Sequence, residues 1–340
     1  MALVATIPLR GAGGEPVDLR RTLLSHGVAE LPPMAVDGDG RAATATLATA
    51  AGPRTVRLTQ AGPGAAPAAA PSAAPSIAPQ AVVAAAPALP SVTVETIDAG
   101  RPPDEASAAA IAELVRRMLC LGDDLSGFYA ACADDPALAW ARGGAGRLRR
   151  SPTVFEDVIK TVCTTNCIWS ATERMAGALV GRLGEPAPGA PLEGVAGRAF
   201  PTPEAMAAAG DDFYADVARA GYRGAYLRGI ATRVAAGDVD LEALLAASGD
   251  ELPDDEVERV LRTLPGVGPY AAAHVMLLLG RHSRLVLDAW TRPKYARLQG
   301  KPKGRLVPDR AIARRFRRYG DHAGLAFWLV LTRDWVDDAR

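Results

Sequence analysis

The stretch Leu261–Gly280, LRTLPGVGPYAAAHVMLLLG, decides the fold. One helix is predicted to end near Thr263 and a second to open at Pro269, because proline suits the first helical position, where its missing N–H loses no hydrogen bond. Between them, Gly266 and Gly268 let the backbone turn tightly and present no Cβ to an approaching partner. The free N–H groups at the start of the second helix, with the helix dipole, then form a site for an anion the size of a phosphate. This is a helix-hairpin-helix, which grips a nucleic-acid backbone without reading bases. A bare Gly-x-Gly would read as a turn between packed helices. The complete Leu264-Pro265-Gly266-Val267-Gly268-Pro269, followed by a small-residue helix, points instead to DNA, with Gly266, Val267 and Gly268 at the phosphate.

Eighteen residues beyond Tyr270, the apolar, strand-like run Leu285-Val286-Leu287 leads to Asp288, at the predicted start of a helix. The plain reading of Asp288 is an N-cap. A catalytic reading is compatible with it, because backbone N–H groups hold a capping carboxylate rigid and favour its charged form. From Arg284 to Arg318 there are twelve Lys and Arg residues against Asp288 and Asp309. Alone, such a run is a solvated face. Beside a DNA clamp it becomes a phosphate surface, with Lys301, Lys303 and Arg305 in a Gly/Pro-rich loop at a flanking phosphate.

The hairpin sits in a long helical region. Periodicity and Gly/Pro punctuation predict helices over Glu105–Leu121, Val154–Leu183, Pro203–Ala220, Tyr226–Ala236, Leu241–Ala247, Asp255–Leu264, Pro269–Leu279, Ala289–Leu298, Asp309–Tyr319 and Leu325–Val336. Short links between consecutive helices give an all-α domain over residues 104–340. Ahead of it, residues 1–100 read as a small β-containing domain. A short helix is expected over Val17–His26, a hairpin from Thr44–Thr49 and Arg54–Gln60, and a further strand at Val92–Ile97. Within that domain, residues 61–90 are Ala- and Pro-rich and uncharged, which reads as a flexible, partly polyproline-like insertion. The fold class is therefore mainly α, with a small α+β N-terminal domain.

At 340 residues and 49% hydrophobic composition the chain can bury a sizeable core, and its zero formal net charge says nothing about a polyanionic partner. Cys120, Cys132, Cys163 and Cys167 form no CxxC pair and read as reduced, buried thiols. Without clustered cysteines near the C-terminus, no iron–sulfur cluster is expected. No signal pattern and no membrane-length apolar run are read, so the expectation is a cytoplasmic, nucleoid-associated monomer.

Hairpin, small-residue helix and Asp at this spacing resemble the helix-hairpin-helix (HhH-GPD) DNA glycosylase superfamily, over roughly residues 105–336. Thr164-Thr165-Asn166 is similar to the family turn whose Asn fills the gap left by an everted base. Gly221-Tyr222-Arg223-Gly224-Ala225-Tyr226 is similar to a segment of 8-oxoguanine DNA glycosylases in which the Tyr wedges into the stack and the Arg pairs with the orphaned base. The β-containing segment looks like the small domain of bacterial 3-methyladenine DNA glycosylase II.

The resemblance implies an all-helical glycosylase core, double-stranded DNA with a damaged base as partner, Asp288 as catalytic carboxylate, and no cofactor beyond a monovalent cation at the hairpin. A carboxylate can stabilise oxocarbenium character on the sugar or activate water. Bifunctional members carry a Lys where this chain has Tyr270, and a phenol forms no imine, so hydrolysis without strand cleavage is expected. Lys160 and Lys294 are not at that position. Tyr270, with His274 one turn on and Trp169, are read as lining the base pocket, although His274 and Trp169 also suit a core. Alkylated purines are the favoured substrate, an 8-oxoguanine-type enzyme is the alternative, and a non-catalytic DNA-binding protein is the alternative from another class.

Overall fold

The computed structural model of the protein describes residues 1–61 and 90–337; the Ala/Pro-rich insertion read at 61–90 falls, but for its first and last residues, outside the described residues. Five strands, β1 (Ala2–Pro8), β2 (Met34–Val36), β3 (Ala42–Leu47), β4 (Arg54–Ala61) and β5 (Ser91–Thr96), form one antiparallel sheet in the order β1-β5-β4-β3-β2. The expected hairpin is β3–β4, in register from Ala42 opposite Thr59 to Leu47 opposite Arg54. The expected strand β5 lies between β4 and β1. Strands β1 and β2 are additions to the sequence reading: β1 is an edge strand that fully buries only Ile7, and β2 has three residues, so neither shows a clear alternation. The helix expected over Val17–His26 shortens to α1 (Leu19–Leu23), with the Asp18 carboxylate capping it through the Arg21 N–H at 3.0 Å.

Helix α2 (Glu105–Met118) follows the sheet and buries Ile111, Val115 and Met118 in the sheet's own core, although it stands beyond the expected start of the helical domain. The remaining helices are α3 (Ser126–Cys132), α4 (Val154–Cys163), α5 (Trp169–Leu183), α6 (Pro203–Ala208), α7 (Arg223–Ala235), α8 (Glu242–Ala246), α9 (Asp254–Leu261), α10 (Pro269–Leu278), α11 (Thr291–Leu298), α12 (Asp309–Phe316), α13 (Ala323–Thr332) and α14 (Asp334–Asp337). Among the described residues, no helix is long and apolar enough to cross a membrane.

Three predicted helices are broken. Val154–Leu183 divides into α4 and α5 because the Thr164 and Thr165 hydroxyls donate back to the carbonyls of Thr161 and Val162, at 2.7 and 2.8 Å, and Asn166 takes a left-handed φ of 48°. Such local bonds compete with the helical ladder. Pro203–Ala220 ends as a helix at Ala208 and resumes as a π-turn over Phe213–Val217. The last helix divides into α13 and α14.

Helix α10 organises the helical half. Every residue from Ala271 to Leu278 is buried. Ala272, Val275 and Met276 pack into one core with α4, α5, α7 and α9, while Ala273, Leu277 and Leu278 pack into a second with α3, α12 and α13. A helix that is apolar all round belongs inside the protein. Its first turn, at Pro269, therefore projects from a fixed axle.

Candidate active site

The hairpin joins α9 to α10. Buried Leu264 and Val267 anchor the turn, with the Val267 N–H donating to the Leu264 carbonyl at 3.2 Å. Gly266 has φ +76°, and a Cβ there would lie 2.6 Å from the Tyr226 ring, so both backbone and packing require glycine. Gly268 differs: its backbone is extended, and a Cβ would meet nothing within 4 Å. It faces open space. Among the described residues, the N–H groups of Gly268, Tyr270 and Ala271 find no acceptor, and Pro269 has none to donate. Together they form the outward-facing helix start that the sequence predicts.

Asp288 lines the same cleft as this turn. The run before it has no regular secondary structure and pairs with no strand, so the strand-like expectation becomes a connecting segment. Its Oδ1 accepts the N–H groups of Trp290 (2.8 Å) and Thr291 (2.6 Å), and its own N–H donates to Thr291 Oγ1 at 2.8 Å. Thr291 is fully buried. This reciprocal pair caps α11 and fixes the carboxylate. Oδ2 accepts no hydrogen bond among the described residues.

One cleft of about 880 Å³ is lined by Asn166, Tyr222, the backbone of Gly266, Val267 and Gly268, Tyr270 and Asp288. Asn166 and Tyr222 are exposed at its edge, with Asn166 Nδ2 donating to Tyr222 Oη at 3.5 Å. The Tyr270 hydroxyl lies 3.2 Å from Thr164 Oγ1. Burial raises the Tyr270 pKa, and the negative charge of Asp288 adds to that, while the contact with Thr164 partly offsets it.

The other sequence-predicted residues stand elsewhere. His274 lies behind Tyr270, buried, its ring nearly parallel to the phenol at 6.2 Å between centroids and edge-on to His26 at 5.5 Å. Burial pushes its pKa down to about 4, against the pull of Asp288. It backs the pocket without lining it. Trp169 opens α5 and rests its ring against Gly27, 43% exposed and away from the cleft. Arg223, expected to reach an orphaned base, is buried. Its Nε donates to the Thr165 carbonyl at 2.8 Å, and its guanidinium sits 4.6 Å from the Tyr222 ring centroid, so it ties the Asn166 turn to Tyr222. Lys301, Lys303 and Arg305 are exposed on the loop before α12, outside the cleft. Lys160 is buried against Glu156 at 2.5 Å, and Lys294 pairs with Asp334.

The sequence reading missed Cys167, Tyr226, Trp290 and Arg292, all in the cleft wall. Trp290 packs 5.4 Å from Trp335 and 5.9 Å from Trp328, ring centroid to centroid. Its position two residues after Asp288 was the available signal. Cys120, Cys132 and Cys163 are buried as expected, while Cys167 is only half-buried and its Sγ donates to the Cys163 carbonyl.

Neither a family model nor a curated protein matches the chain. Solved structures do. A 3-methyladenine DNA-glycosylase from Archaeoglobus fulgidus aligns with a TM-score of 0.65 at 20% identity, over 99% of this chain and 100% of that one. A structure of MBOgg1 in complex with a low affinity DNA ligand gives 0.64 at 17% identity, over 97% and 95%. An 8-oxoguanine glycosylase/lyase from Clostridium acetobutylicum, bound to double-stranded DNA containing cytosine opposite 8-oxoG, gives 0.61 at 17% identity, over 95% and 93%. The fold is thus one shared, over nearly the whole chain, with solved structures described as a 3-methyladenine DNA-glycosylase and an 8-oxoguanine glycosylase/lyase.

Proposed function

We propose that this chain is a base-excision DNA glycosylase that everts a damaged base from the duplex and hydrolyses its N-glycosidic bond without cutting the strand. One observation carries the reading: a helix start with three free N–H groups, a capped carboxylate and an exposed Asn–Tyr pair meet in a single cleft. The related folds described as 3-methyladenine and 8-oxoguanine glycosylases support the reaction class.

In this reading the hairpin holds a phosphate near the lesion. Extrusion of a base costs a few kcal/mol and least for a damaged one. Tyr222 and Asn166 occupy the vacated space. The sugar then lies near Asp288, whose Oδ2 is free either to face the oxocarbenium character that grows as the glycosidic bond lengthens or to take a proton from the attacking water. Strand cleavage through an imine requires an amine at the sugar. In this chain Tyr270 stands at the sequence position of that amine and lines the cleft, and Lys160 and Lys294 are held in ion pairs elsewhere. Alkylated purines, already positively charged, leave readily with one carboxylate, which favours them as substrates.

The test presents duplexes bearing 3-methyladenine, 1-methyladenine, hypoxanthine or 8-oxoguanine, identifies released bases by mass, and repeats each with Asp288→Asn. Release of an alkylated base, lost in the variant, is expected. Nicking without alkali refutes the hydrolysis-only mode, and release confined to 8-oxoguanine refutes the alkylpurine preference.

A further inference from the structure

The basic residues from Arg284 to Arg318 divide into two sets, with Arg297 among the exposed ones that make no side-chain ion pair or hydrogen bond among the described residues. Arg284 is held by Asp255 and Glu258, Arg292 by Asp309, Lys294 by Asp334, and Arg315 and Arg318 by Asp135. Arg310, Arg314 and Arg317, on α12 and at its end, are exposed and make no side-chain ion pair or hydrogen bond among the described residues. Lys301, Lys303 and Arg305, on the preceding loop, are in the same state.

The placement on α12 is ordered. With 3.6 residues per turn, Arg317, Arg310 and Arg314 share one arc of about 60° on α12, and the arc continues round the helix into Arg318 and Arg315, which Asp135 takes. Ile312 and Phe316 form the buried stripe on the opposite side of the helix. Asp309 is engaged by both Arg292 Nε and Nη2, at 2.9 Å each, and Arg292 lines the cleft. The uncompensated arc therefore starts beside the Arg292–Asp309 pair at the cleft wall and extends for about 10 Å along α12, seven residues at ~1.5 Å each. Like charges one turn apart repel each other. No acid on the helix relieves them, because Asp309 is already engaged.

We propose that this flank of α12 carries the backbone of the duplex where it continues past the cleft on the Asp288 side, beyond reach of the hairpin. The inference rests on the glycosylase reading and adds to it a direction and a length of bound DNA. Duplex DNA presents a charge every ~1.7 Å of axis, so a row of guanidinium groups of this extent meets several phosphates.

The test uses the full chain and duplexes of about 12 and about 24 base pairs, one and two helical turns, each with a central abasic-site analogue. Kd is followed by anisotropy against salt for the wild type, for R310Q/R314Q/R317Q, and for the matching triple Lys variant. On the long duplex the Gln variant is expected to reduce the salt slope by about 2–3, at ~0.9 per lost contact. On the short duplex the slope is expected to change little, the Lys variant to keep the wild-type slope, and base release at saturating enzyme to be unchanged. An unaltered slope on the long duplex, with wild-type base release intact, overturns this inference alone. So does a Gln variant that loses binding to phosphatidylserine vesicles while keeping its duplex slope. Failure of the wild type to bind any duplex overturns the glycosylase reading as well.

Discussion

The two walls of the cleft are built from different materials. The hairpin wall is backbone: Gly266 and Gly268 keep it bare, and its donors are peptide N–H groups mounted on a helix buried all round. The opposite wall is side chain: Asn166 on a left-handed turn and Tyr222 at the start of α7, joined from behind by Arg223. Under the proposed function, a backbone grip needs no sequence in its partner, whereas a wall of side chains can respond to the base that leaves the stack. Asp288 stands with the first wall, because its position is set by peptide N–H groups and a buried hydroxyl.

The largest break in this contrast is Asp288→Asn. The amide keeps the shape but not the charge, so single-turnover base release is expected to fall about 10²–10⁴-fold while duplex affinity holds. If affinity falls in parallel, Asp288 acts in binding.

Next are the two hairpin glycines, which separate folding from contact. Gly266→Ala forces a Cβ against Tyr226 at positive φ and is expected to cost about 1–3 kcal/mol of stability, read by denaturant titration. Gly268→Ala leaves the denaturation midpoint unchanged, because its Cβ meets nothing in the protein, yet weakens duplex binding about tenfold, ~1.4 kcal/mol.

The Asn166–Tyr222 wall, if it wedges as proposed, predicts a different pattern. Asn166→Gly tolerates the φ of 48°, so the midpoint holds while base release drops; Asn166→Ala loses both. An Asn166→Gly enzyme with full activity would remove Asn166 from the mechanism.

The hairpin and Asp288 were legible because glycine, proline and a capping carboxylate have local conformational meaning that survives in any context. The break at Thr164–Asn166 was not, since nothing in the hydrophobic period of residues 154–183 marks a hydroxyl folding back on its own helix. Arg223 and Trp169 stand away from the places read for them, and His274 takes the core alternative to the pocket lining, for a second reason. Whether a side chain reaches a cleft or packs behind it depends on partners far away in sequence: Thr165 for Arg223, Gly27 for Trp169, His26 for His274.

The smallest expected effect concerns the layer behind the cleft. His274 has its folded-state pKa lowered to about 4 by burial, from an ordinary value of 6.5. As pH falls, the unfolded chain takes the proton first. Stability from this group is therefore full above about 6.5 and is lost as pH falls from there through about 4. His26, His282 and His322 shift in the same direction. The denaturant midpoint is expected to fall between pH 7 and pH 5, and His274→Leu to make that fall shallower by its share alone. An identical slope in the variant would sink the assignment.

The bond pair between Asp288 and Thr291 has a consequence for heat. The carboxylate is held by the N–H of the first residue of an eight-residue helix, and helix ends loosen before their middles. Warming would undo that hold while the rest of the chain still looked native by circular dichroism. Loss of turnover would thus come at a lower temperature than loss of ellipticity.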